Sequence, residues 1–178
     1  FIGIELQTEC ADMAARSVSL NGLDGLVRID NGDIKEVSCN YKKASFDIVT
    51  SNPPYIKGSH GLENPDAPKN IARHEVHVTL EQVVAAAEHA LKPGGSFYMI
   101  HKPFRLAEIF ECLHEHRLEP KRMQLVHPYI DKEPNMVIVE AVKGGNSMIK
   151  IDPPMIVYKA PGVYTEQLLA TYEGTAKR

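Results

Sequence analysis

Apolar and polar positions along the chain alternate between two repeats, one suited to strands and one to helices. Residues 1–6, Phe1-Ile2-Gly3-Ile4-Glu5-Leu6, read as a buried strand that ends at an acidic residue. Thr8 is of the type that caps helices. Behind it Ala11, Ala14, Ala15 and Val18 recur at helical spacing until Asn21-Gly22 stops them. Residues 27–30 form a second short strand before the turn Asn31-Gly32-Asp33. Residues 46–50 form a third, apolar enough for a central parallel strand, and run directly into Ser51-Asn52-Pro53-Pro54-Tyr55. A polar, aperiodic loop follows from Ile56 to about Arg73. Leu80, Val83, Val84, Ala87 and Leu91 then mark a helix ended by Lys92-Pro93-Gly94-Gly95, with a strand at 96–100. Leu106, Ile109, Phe110 and Leu113 mark another helix. Strands near 123–126 and 136–142 come next. After Gly144 the pattern holds a Pro-Pro break, an apolar run at 155–158 and a short helix from Thr165. Strands alternating with helices predict an α/β fold built on a parallel sheet covered on both faces.

Length and composition narrow this further. A chain of 178 residues suits one substantial core. Residues 1–143 are expected to form the domain, with 144–178 as an extension packed on it. No apolar run reaches membrane-spanning length, so no membrane partner is expected. Cys10, Cys39 and Cys112 lack CxxC spacing, which predicts reduced thiols in a cytoplasmic protein. The eight histidines show no ligand spacing, so no metal is expected. A net charge of −3 leaves nucleic-acid binding to a local basic patch. The pattern does not address oligomeric state. Phe1 lies within an apolar stretch, as if the chain started in mid-strand, which reads as a fragment or processed chain.

The chemistry concentrates at Asn52-Pro53-Pro54-Tyr55, just past the carboxyl end of a buried strand, where open α/β sheets bind ligands. Two prolines stiffen this corner. The Asn52 side-chain oxygen and the Pro53 carbonyl can both accept from one NH₂ group. Amide and aromatic amine nitrogens are poor nucleophiles because their lone pair is delocalised. Two acceptors would orient such a nitrogen and stabilise the positive charge that develops on it. Tyr55 offers a flat face for a planar substrate. Glu5 at its strand end is placed to accept from ribose hydroxyls, and Asp33 from an adenine amino group.

These residues resemble a known family. The acidic strand end, the Gly32-Asp33 turn, Phe46 to Tyr55 and the Lys92–Gly95 turn look like the class I S-adenosylmethionine-dependent methyltransferases with an NPPY motif. Ala72-Arg73-His74-Glu75, Lys132-Glu133-Pro134-Asn135 and the tail from Pro153-Pro154 to Tyr164-Thr165-Glu166 are similar to the bacterial tRNA1(Val) adenine-N6 methyltransferases. The resemblance implies a Rossmann-like, mostly parallel sheet with an antiparallel last strand, whose first strand and glycine-rich motif are missing here. It implies S-adenosyl-L-methionine as cofactor, held by Glu5, Asp33, Ile34 and Asn52. Asn52, Pro53, Pro54 and Tyr55 would act on the exocyclic N6 of an adenine near a tRNA anticodon. Phosphate contacts are expected from Lys57, Lys69, Arg73, His74, Lys102, Arg105, Lys121, Arg122 and Lys132. Two other readings stay open: a protein glutamine N5-methyltransferase of the release-factor type, and a non-catalytic RNA-binding fragment.

Overall fold

The computed structural model describes residues 1–55 and 78–172. The 56–73 loop, the 72–75 block and the cations Lys57, Lys69, Arg73 and His74 lie outside the described residues.

The first elements are β1 (Ile2–Glu5), α1 (Thr8–Leu20) and β2 (Arg28–Asn31). β1 and β2 pair in parallel with Glu5 opposite Asn31, and α1 packs on both. Gly3 leaves room for the side chain of Ile29 on the paired strand, since a Cβ there would stand 3.0 Å from Ile29 Cδ1. A 3₁₀ turn, Ile34–Glu36, and a short helix α2 (Val37–Asn40) follow, neither of which the sequence pattern signals. Thr8 opens α1 as its first helical residue and the N-cap is Gln7, so the expected cap is shifted by one residue.

The larger sheet contains β3 (Phe46–Ser51), β4 (Leu91–His101), β6 (Met136–Lys143) and β5 (Leu118–His127), in that spatial order. β3 and β4 are parallel. β6 lies between β4 and β5, antiparallel to both, which is the expected reversed last strand. The Lys92–Gly95 turn is accommodated within the β3–β4 ladder. Phe46 pairs with Leu91 and Ile48 with Ser96, so four residues of β4 loop out between them. Gly94 takes φ +77° to make that loop.

Helices α3 (Leu80–Ala90) and α4 (Leu106–Glu115) bury their apolar stripes on one face of this sheet. Leu80, Val83, Val84, Ala87, Ile109, Cys112 and Leu113 meet Phe97, Met99, Val137, Val139 and Ala141 in a continuous core. α3 begins with a reciprocal cap: Thr79 Oγ1 accepts the Gln82 N–H, and Gln82 Oε1 accepts the Thr79 N–H. Such caps contribute about 1 kcal/mol.

Two expectations need correction. β3 was expected at the centre of the sheet, but among the described residues it ends the six-stranded sheet, and Ile48 is 59% exposed. Its apolar run therefore does not mean burial on both sides. Among the described residues, helices cover one face only, and Tyr98, Ile138 and Glu140 on the opposite face line an open groove of about 200 Å³.

Beyond β6, two short strands β7 (Lys150–Ile151) and β8 (Met155–Ile156) pair in parallel with β5. A small hairpin, β9 (Tyr158–Ala160) and β10 (Val163–Tyr164), leads to α5 (Glu166–Tyr172). Tyr158 stacks between Tyr129 and Tyr164, with ring centroids 5.6 and 5.1 Å away. No helix among the described residues is long and apolar enough to cross a membrane.

Candidate functional site

Three strand ends, those of β1, β2 and β3, meet at one cleft of about 290 Å³. Its wall includes Glu5, Asp33, Ile34, Asn52, Pro53 and Pro54, with Val78 and Val83 closing the apolar side. The parallel β1–β2 pair and β3 at the end of the larger sheet both turn their carboxyl ends to this cleft, so residues far apart in sequence converge there. Tyr55 stands beside this cleft and is not part of its lining.

The Glu5 corner is tied by hydrogen bonds. One Glu5 carboxylate oxygen accepts the Gln7 N–H at 2.8 Å. The Asn31 side chain donates to the carbonyls of Glu5 and Leu6 at 2.8 and 3.1 Å, and its own oxygen accepts from Thr8 Oγ1 at 3.0 Å. Gly32 N–H bonds the Glu5 carbonyl at 3.0 Å. These ties hold the acidic side chain at the strand end. Asp33 accepts the Lys35 N–H at 2.9 Å and pairs with Lys35 Nζ at 3.1 Å.

The Asn-Pro-Pro-Tyr corner folds back on itself. The Tyr55 hydroxyl donates to Asn52 Oδ1 across both prolines. Burial raises the Tyr55 pKa more than the bond to Asn52 lowers it, so the phenol stays a donor. Asn52 is exposed and Pro53 is buried.

Around Tyr55 lie residues to which the sequence assigned another role or none. His101, at the end of β4, packs edge to face against the ring, with centroids 5.4 Å apart at 73°. Burial, with the Arg105 charge nearby, pushes the His101 pKa down to about 4. Lys102 Nζ sits 5.3 Å from the Tyr55 ring centroid and donates to the Asn135 carbonyl at 3.1 Å. The Lys132–Asn135 block thereby reaches the corner. Arg105 is only 5% exposed, donates to the Tyr55 carbonyl at 3.2 Å and pairs with Glu108.

The expected phosphate-binding patch is thus reduced. Arg105 is buried and turned inward. Arg122 pairs with Asp152, and Lys121 donates to the carbonyls of Asn146 and Ser147. Glu88 and Glu108 pair with Lys143 and Arg105 respectively. Arg105 has no distinctive sequence signal, since an arginine at a helix start reads as surface charge.

No protein-family model matches the chain. A curated tRNA1(Val) (adenine(37)-N6)-methyltransferase from Porphyromonas gingivalis is 28% identical over 176 residues, covering 96% of this chain and 68% of the relative. One of the same name from Bacteroides fragilis is 26% identical over 126 residues, covering 70% of this chain and 52% of the relative. Among solved structures, a predicted O-methyltransferase from Agrobacterium tumefaciens superposes with a TM-score of 0.75 at 20% identity, covering 99% of this chain and 78% of that one. Geranyl diphosphate C-methyltransferase from Streptomyces coelicolor gives 0.59 at 14% identity, covering 80% and 64%. The chain has the mixed α/β methyltransferase fold and is similar, over nearly its whole length, to curated tRNA1(Val) adenine-N6 methyltransferases.

Proposed function

We propose that the chain is the catalytic body of an S-adenosylmethionine-dependent N-methyltransferase acting on the exocyclic N6 of an adenine in tRNA. One observation carries the reading: Glu5, Asp33 and Asn52 line a single cleft at the carboxyl ends of their strands. The relatives' names supply the substrate class, and the corner supplies the chemistry.

The cleft suits a nucleoside cofactor. Its lining pairs a carboxylate for ribose hydroxyls (Glu5) with an acceptor for an adenine amino group (Asp33) between apolar walls from Ile34 and Val83. S-adenosylmethionine supplies an electrophilic methyl group. The chain's own residues do the rest. Asn52 Oδ1 and the Pro53 carbonyl accept the two hydrogens of the target amine and fix its nitrogen. As the lone pair leaves conjugation to bond the methyl carbon, positive charge grows on that nitrogen, and the two oxygens stabilise it. One of the two amine hydrogens is then lost to solvent as a proton, giving the neutral methylamine. Pro53 and Pro54 limit the backbone freedom of these acceptors, so little reorganisation is needed at the moment of reaction. Tyr55 stacks on the base, which must leave its own stack in the RNA to reach the corner.

The test is direct. The protein is incubated with S-adenosylmethionine and unmodified bacterial tRNA, and the RNA is digested to nucleosides for mass spectrometry. N6-methyladenosine that appears only with the protein supports the reading. Its absence, with methyl transfer to glutamine in a parallel incubation with release factor, overturns it.

A further inference from the structure

Two buried polar side chains converge on Tyr55, and the chemistry above uses neither. The His101 ring is fully buried. Its Nδ1 accepts the Lys102 N–H at 2.7 Å, so the neutral ring carries its hydrogen on Nε2. That nitrogen is buried and has no hydrogen-bond partner among the described residues. A buried donor without an acceptor costs about 1–3 kcal/mol. A phenylalanine would fill similar space without that cost. The imidazole lies edge to face against the Tyr55 ring, a contact whose geometry depends on ring orientation.

Arg105 grips the same residue from the backbone side. Its Nη1 donates to the Tyr55 carbonyl at 3.2 Å, while Nε and Nη2 bind the two Glu108 oxygens at 3.0 and 2.7 Å. Only the Arg105 side of this ion pair is buried, Glu108 being partly exposed, and desolvation of the guanidinium offsets much of the attraction. Its planar fork does fix direction, and here one branch is aimed at the carbonyl that closes the Asn-Pro-Pro-Tyr corner.

We propose that His101 and Arg105 are positioning residues that set the ring and the carbonyl of Tyr55, so that the ring stands ready as the stacking surface for the target base. The inference rests on the reading of the corner as an amine-binding site. Tyr55 bears both the stacking face and the hydroxyl bound to Asn52. Freedom in its ring therefore misplaces the base and the acceptor together.

The test uses an RNA hairpin with 2-aminopurine at the target position of its loop, a probe whose fluorescence falls when it stacks. In the wild type, saturating protein quenches it, and Tyr55→Ala abolishes the quench. His101→Phe, which keeps packing but removes the donor, and Arg105→Met are expected to lose at least half of the quench. Their kcat falls about tenfold while KM for RNA and cofactor moves less than twofold, the pattern of misplaced reacting groups. Arg105→Lys and His101→Gln, which keep a donor, recover part of both. All are measured well below each variant's Tm, and His101→Phe carries the test if Arg105→Met does not fold. Wild-type quench and kcat in His101→Phe overturn the inference, whatever happens to Tm. A wild-type protein that gives no quench sensitive to Tyr55→Ala overturns the reading of the corner, and the inference with it.

Discussion

The Tyr55 hydroxyl donates to Asn52 Oδ1, so the stacking ring and the amine acceptor are linked across two prolines. An incoming amine must share that oxygen or displace the phenol from it. Tyr55→Phe removes the competing donor and keeps the ring. Methyl transfer is expected to stay within a fewfold of wild type. Tyr55→Ala removes the ring and should lower transfer by about 100-fold, since base stacking contributes about 1–3 kcal/mol. Steady-state rates on tRNA separate the two variants, and equal losses in both would show that the hydroxyl itself is required.

Glu5 is held at its strand end by the Gln7 N–H and by the Asn31 ties to its carbonyl. Glu5→Ala is expected to weaken S-adenosylmethionine binding by about 1–3 kcal/mol, as loss of a charged hydrogen-bond acceptor does. Asn31→Ala loosens the same corner from behind and should weaken binding less. Calorimetry on both variants checks the order, and unchanged affinity in Glu5→Ala removes the ribose assignment.

His101 makes stability depend on pH in a defined direction. Its pKa in the folded protein is about 4, below that of an unfolded histidine. Between about pH 6.5 and 4 the unfolded chain binds a proton that the folded chain does not, so folding weakens as pH falls through that window. The expected loss between pH 7 and pH 5 is about 2 kcal/mol from this residue. Denaturant titration of wild type and His101→Phe measures it, and the variant should lack this component.

Gly95 sets how closely the end of the β4 loop approaches β3. A Cβ there would stand 3.0 Å from the Asp47 carbonyl, the Lys92 carbonyl and Leu91 Cδ2. Gly95→Ala should cost about 1–3 kcal/mol through forced displacement of backbone. A melting temperature equal to wild type would show that the loop shifts freely.

Much of this fold could be read from the chain because its signals are local. Leu80, Val83, Val84 and Ala87 fall on one helical face and bury that face in the core. The carboxyl end of β3 carries its own marker in two adjacent prolines. Convergence of Glu5, Asp33 and Asn52 on one cleft could be expected once the strands were taken as parallel. Three features could not be read. The place of β3 at the end of the larger sheet depends on its neighbours, and an apolar run reads the same at a centre or an edge. The inward turn of Arg105 depends on Glu108 and the Tyr55 carbonyl, 50 residues apart in sequence from Arg105 in the latter case. The buried Nε2 of His101, without a partner among the described residues, arises from burial that alternates along β4, where a lone histidine reads as surface.

The central claim is that Asn52 receives the target amine, and a single substitution tests it. Single-turnover methyl transfer to tRNA is measured for wild type and Asn52→Ala, with S-adenosylmethionine affinity measured alongside. The account predicts a rate lower by about 10²–10³, as for the loss of one preorganised hydrogen-bonding group, with cofactor affinity changed by less than a few fold. A rate within twofold of wild type at unchanged affinity would contradict it.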